Sequence, residues 1–104
     1  GLEWVAGPDR DTTYSEANDW AKKLEVAGGG WRMPTRKELR SLYRIEYKPR
    51  NLTPLLETSG WLVWSGQTKG WKSAWLFHFY RGTASSDYRK MNENIRGFAV
   101  RARR

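Results

Sequence analysis

The chain is expected to fold as an α+β domain, because helix signals come first, strand signals follow, and the two do not alternate as in a doubly wound sheet. Three observations carry this reading. Thr13 with Glu16 and Thr35 with Glu38 have the spacing of a capping box, in which hydroxyl and carboxylate each satisfy the other residue's backbone donor. From Trp61 onward the apolar residues come in short runs parted by Gly and polar turns. Within Ala74-Trp75-Leu76-Phe77-His78-Phe79-Tyr80 a large aromatic stands at every second position, the period of a strand.

Taken in order, Leu2-Glu3-Trp4-Val5 reads as a short strand, and a polar loop through Gly7, Pro8 and Asp9 follows it. Behind Thr13, the residues Ala17, Trp20, Ala21 and Leu24 recur at i, i+3, i+4 and i+7 and give a helix one apolar stripe, which Gly28-Gly29-Gly30 ends. Behind Thr35, Leu39, Leu42 and Tyr43 continue a second, shorter helix. Tyr47 to Ser59, with Pro49 and Pro54, reads as loop; Trp61 to Trp64 as strand; Gly66 to Gly70 as turn; Ala74 to Tyr80 as strand. After Gly82 a polar stretch runs from Thr83 to Asn94, and Phe98 to Arg103 is the last strand. On the central strand, alternation puts Trp75, Phe77 and Phe79 in a core and leaves Leu76, His78 and Tyr80 on an open face.

A chain of 104 residues suits one domain over residues 1–104, burying roughly two-thirds of its unfolded surface. The 38% hydrophobic content is concentrated in 7 Trp, 5 Tyr and 3 Phe, so aromatics must build the core. With 0 Cys there is no disulfide framework, thiolate nucleophile or cysteine metal site. No apolar run approaches the length of a membrane span, and the N-terminus lacks the basic-then-apolar build of a signal segment. Gly1 in place of Met is read as the mark of a trimmed or excised domain of a longer chain, expected at a cell surface or on a virion.

The net charge is +8 and uneven: residues 1–30 hold 3 basic and 6 acidic side chains, residues 61–104 hold 9 and 2. Such a field favours acidic partners. Trp71, Trp75, Tyr80 and Tyr88 interleave with Lys69, Lys72, Arg81, Arg89 and Lys90, a pattern able to stack rings and hold anions. The glycines before Trp31 lack the Gly-Lys-Ser/Thr ending of a phosphate loop. His78 is the lone histidine, and Asp87 and Glu93 do not make a carboxylate pair with it, so neither catalysis nor a metal or other cofactor is expected. Asn51-Leu52-Thr53 fits the glycosylation acceptor pattern and is read as a chance match.

Gly30-Trp31-Arg32-Met33-Pro34-Thr35-Arg36-Lys37-Glu38-Leu39 resembles the W-R-[LM]-P-T-x-x-E-L element of bacterial C-type lectin-like domains. It is most similar to the family containing the C-terminal domain of the Lcl collagen-like adhesin, with formylglycine-generating enzymes as more distant kin. The opening Gly1-Leu2-Glu3-Trp4, Trp20, Val63-Trp64-Ser65 and Arg96-Gly97-Phe98-Ala99-Val100-Arg101 share the likeness, which thus covers nearly the whole chain. The resemblance implies a C-type lectin-like fold with paired terminal strands and two helices flanking a twisted antiparallel sheet. The cysteine pair of the enzymes and the Glu-Pro-Asn, Gln-Pro-Asp and Trp-Asn-Asp elements of calcium lectins are missing. Any ligand is therefore expected to bind without calcium.

The frame Ala74-Trp75-x-Phe77-x-Phe79-x-x-Gly82 ahead of Arg96-Gly97-Phe98-Ala99-Val100-Arg101 also resembles the variable proteins of diversity-generating retroelements. In those, adenine-directed mutagenesis changes codons on a constant lectin-like scaffold. The resemblance implies a non-enzymatic display domain whose C-terminal strand and loop form a variable binding surface. Its ligand residues are expected to be Trp71, Leu76, His78, Tyr80, Arg81, Ser86, Asp87, Tyr88, Lys90, Asn92 and Asn94. The alternative is an invariant surface adhesin domain that binds sulfated or acidic glycans. A protein or glycan ligand is expected ahead of nucleic acid, for which the charge fits but no motif does.

Overall fold

Both capping boxes form. The Thr13 hydroxyl accepts from the Glu16 backbone N–H, the Glu16 carboxylate accepts from Thr13 N–H, and Thr35 and Glu38 repeat the exchange. They open α1 (Tyr14–Lys23) and α2 (Arg36–Leu42) in the computed structural model, which describes residues 1–103. Around them the chain forms β1 (Leu2–Ala6), β2 (Leu62–Lys69), β3 (Ser73–His78), β4 (Thr83–Tyr88), β5 (Ile95–Arg96) and β6 (Phe98–Ala102). The α+β class is as the sequence predicts.

β1 and β6 pair antiparallel, with Trp4 opposite Val100, so the two terminal strands close on each other. The larger sheet has the order β4-β3-β2-β5, antiparallel except for the β2–β5 contact. β2 runs through the expected Gly66 to Gly70 turn by way of a bulge between Trp64 and Thr68. Ser65 fills that irregularity: its hydroxyl donates to Trp75 O at 2.7 Å and accepts from Gln67 N–H at 3.1 Å. A backbone left unpaired by the bulge thereby keeps its hydrogen bonds.

Two apolar clusters cover the two faces of the β2–β3 pair. Tyr14, Ala17 and Ala21 of α1 pack with Trp64, Ala74, Leu76 and Ile95, while Leu39 of α2 packs with Val63, Phe77, Phe79 and Phe98. α1 approaches the β5–β6 corner so closely that a Cβ at Gly97 would lie 2.8 Å from the Cβ of Ala17. Only glycine fits under the helix there.

Three further expectations are corrected. β3 is buried on both faces, so Leu76 is a core residue with 2% exposure and cannot belong to a binding surface. Trp75 is only half-buried, since α2 covers its end of the sheet with the Arg36 guanidinium, 4.2 Å above the ring, instead of an apolar residue. The polar stretch after Gly82 contains β4, whose full ladder from Ser73↔Tyr88 to His78↔Thr83 is paired with β3. As an edge strand it has a partner on one side only, which permits the polar sequence Thr-Ala-Ser-Ser-Asp-Tyr.

Candidate functional site

The remaining predicted ligand residues do not form one surface. Alternation along β4 puts Ser86, paired to Trp75, and Tyr88, paired to Ser73, on the α2 side of the sheet, and Asp87, paired to Ala74, on the other. Tyr80 and Arg81 lie in the turn that precedes β4, whereas Tyr88 ends it, so these residues flank opposite ends of the strand. Five residues of strand rise separate the two ends, roughly 17 Å.

At one end, the β2–β3 turn carries Trp71 and Lys72, and the chain leaving β4 carries Arg89 and Lys90. The two segments are tied together. Arg89 N–H donates to Lys72 O at 2.8 Å, and the Arg89 guanidinium donates to Trp71 O at 3.3 Å while lying 4.5 Å over the Tyr14 ring. The Lys72 ammonium sits 4.6 Å over Trp71. Trp71, Lys72, Tyr88, Arg89 and Lys90 line an open cleft of about 570 Å³. Trp71 is 79% exposed, so the core has no use for its ring. Asn92 is exposed in the loop beyond, where its carbonyl closes a turn by accepting from Ile95 N–H at 3.0 Å.

At the other end, the Tyr80 ring stacks on Trp61, with centroids 5.0 Å apart and planes at 17°. Asn94 joins this end: with Arg50, Ser59 and Trp61 it lines a hollow of about 210 Å³, and its N–H donates to Asp11 at 3.1 Å. Sequence reasoning missed Trp61 and Arg50 because they precede β2 and belong to the site only once β2 pairs with β3. It also missed that Arg36 and Lys69 both lie over Trp75, at 4.2 and 4.9 Å. The one signal for Lys69 was its place in the basic-aromatic interleave.

His78 ends β3 on the Tyr80 side, its ring 6.4 Å from that of Tyr80; it is half-buried, and its Nδ1 is shielded from water with no hydrogen-bond partner among the described residues. Burial and then the positive charge of Arg81 hold the imidazole below its ordinary pKa of 6.5. The sign follows from linkage: the unfolded chain takes up the proton first, so stability is complete above pH 6.5 and falls as pH drops from there toward the lower folded-state value. His78→Leu removes both the titration and the orphaned nitrogen. It is expected to add about 1 kcal/mol at pH 7, and urea melts between pH 7 and pH 5 should lose their slope; an unchanged slope would assign the pH dependence to another group.

Asn51 of the acceptor pattern has a structural role in the fold. The residue is buried, and its side-chain amide donates to the carbonyls of Phe79 and Tyr80 at 3.1 and 3.4 Å. Among the described residues, no group of three or more His, Cys, Asp or Glu is placed to hold a metal ion. Among the described residues, no helix is long and apolar enough to cross a membrane.

The family model described as the Lcl C-terminal domain matches residues 1–101 of the chain. No curated protein matches it.

Proposed function

The chain belongs to the Lcl C-terminal domain family, and from that premise we propose a non-enzymatic domain that binds acidic, sulfated glycans at the Trp71–Tyr88 cleft. The observation that carries this is the pairing of two exposed rings with three cations. Trp71 and Tyr88 offer stacking area in water, and Lys72, Arg89 and Lys90 surround them. A sulfated chain supplies both complements: sugar faces for the rings and anions for the ammonium and guanidinium groups. The +8 net charge steers such a ligand inward. The non-enzymatic part of the reading rests on composition: one His and 0 Cys supply neither a thiolate nor a paired-histidine relay.

The burial of Leu76 also favours this reading over a diversified display surface. A variable face needs its varied positions together in solvent, whereas here they divide between two faces and two ends of the sheet.

Binding to a heparin-coated surface is expected to weaken roughly tenfold or more between 50 and 500 mM salt, as Coulombic contacts are screened. Lys72→Glu with Lys90→Glu should weaken it by a further one to two orders of magnitude, roughly the loss of two charge contacts and the gain of two repulsions. Both side chains are exposed, so the melting temperature should move by no more than about 2 °C. Retained affinity in the double variant would refute the cleft as the glycan site.

A further inference from the structure

We propose that the Trp61–Tyr80 stack is a second binding site, made for a pyranose ring that bears a carboxylate or sulfate. The ligand class rests on the reading above; the place does not, because the ledge lies at the opposite end of β3 from the cleft. Pairing of β2 with β3 builds it. Leu62 faces His78 in the ladder, and Phe79 N–H donates to Trp61 O at 2.8 Å, which brings the two flanking rings face to face, so that a ligand meets the outer face of the pair. Trp61 is 44% and Tyr80 59% exposed, and neither is part of the two apolar clusters. The rings are held in water by the fold and contribute little to its core.

The ledge is also rigid. Asn51, with φ of +60°, sits beneath the turn, and its amide grips the carbonyls of Phe79 and Tyr80. Asn51 is itself fixed by its N–H to Tyr47 O at 2.7 Å and by Arg44 N–H to its carbonyl at 2.8 Å. Gly82, at φ +72°, lets the turn close onto Tyr43, whose ring carbon Cζ would lie 2.7 Å from any Cβ at this position. A platform already in its binding geometry loses little entropy when a ligand lands.

Charge selects the ligand. The Arg50 guanidinium lies 5.9 Å from the Trp61 ring centre and Arg81 is exposed beside Tyr80, while Asp9 and Asp11, which bond to Ser59 and Asn94 of the adjoining 210 Å³ hollow, are paired with Arg96. A ring with a C–H face can stack on the aromatic surface while a guanidinium fork takes its anion.

The test is an NMR titration of ¹⁵N-labelled protein with a heparin-derived disaccharide, too short to span both ends of β3, read at the indole N–H signals of Trp61 and Trp71. Both signals are expected to shift. Tyr80→Ala should weaken saturation at Trp61 roughly tenfold, the worth of one stacked ring, and leave the Trp71 curve in place. Arg81→Glu, which keeps both rings, should do the same and so guards against mere collapse of the ledge. A Trp71 shift without a Trp61 shift would overturn this site and leave the cleft standing; the reverse would overturn the cleft and leave this site. Silence at both would overturn both. A Trp61 signal that answers to a single-stranded oligonucleotide but not to the disaccharide would overturn the ligand class.

Discussion

Arg96→Ala is expected to destabilise the fold by about 3 kcal/mol, the scale of breaking a buried charged hydrogen-bond network. Arg96 stands on β5, opposite Val63 of β2, with its side chain 9% exposed. It donates from Nε to Asp9 at 2.8 Å, from Nη1 to Asp11 at 3.0 Å, and from Nη2 to the Ser59 hydroxyl at 3.3 Å. Asp9 in turn accepts from Ser59 N–H at 2.8 Å. One guanidinium thus ties the β1–α1 loop and the long α2–β2 loop to the sheet. Arg96→Lys should recover little, because an ammonium cannot serve three partners in the directions of the fork.

The same residue sets an acid limit. Its hydrogen bond, followed by that from Ser59 N–H, lowers the Asp9 carboxyl from 3.8 to about 2. A depressed carboxylate contributes stability that is complete above pH 3.8 and is lost as pH falls toward 2. Asp9 is 44% exposed, so solvent screening reduces this contribution to about 1 kcal/mol. In Arg96→Ala the Asp9 titration should return toward 3.8. Urea melts at pH 7 with a carboxyl NMR titration measure both effects, and a loss under about 1 kcal/mol with an unmoved Asp9 would mean that the loops are held by other contacts.

Local signals made the helices legible. Each capping box is complete within four residues, and Thr13 and Thr35 needed nothing from the rest of the chain. The Arg96 network was not legible for the opposite reason: Arg96 and Asp9 are 87 positions apart, and no short pattern links them. The aromatic alternation of Trp75, Phe77 and Phe79 correctly marked a strand, yet which face is open depends on what lies over the sheet. With α1 covering one face and α2 most of the other, only Trp75 escapes, under Arg36. β4 was hidden because an edge strand can carry Thr, Ser and Asp without penalty. Tyr80 and Tyr88 looked like one surface because eight positions along a chain give no hint that a strand separates them. The cations around Trp71 were legible as a composition, but their convergence on one cleft depends on Arg89 bonding across to Lys72.

Leu76→Asn is expected to be the most damaging of the substitutions that a diversified surface would require, at about 4 kcal/mol, from a lost apolar transfer and cavity plus a buried amide without partners. Leu76 pairs with Trp64 on one side and Ser85 on the other and packs in the cluster that also holds Tyr14, Ala74 and Ile95. A domain of this size has about 5–15 kcal/mol in hand, so the variant should melt far below the parent or fail to fold. Tyr80→Asn is the matched control. It gives up one exposed stack on Trp61 and should cost no more than about 1 kcal/mol. If Asn is harmful at Leu76 and harmless at Tyr80, then the alternate positions Leu76, His78 and Tyr80 cannot vary as a set, and the exposed rings at the two ends of β3 are what remains for recognition. Thermal melts of the two variants decide the matter: equal tolerance at Leu76 and Tyr80 would restore the whole strand as a variable surface and undercut the assignment of binding to its ends.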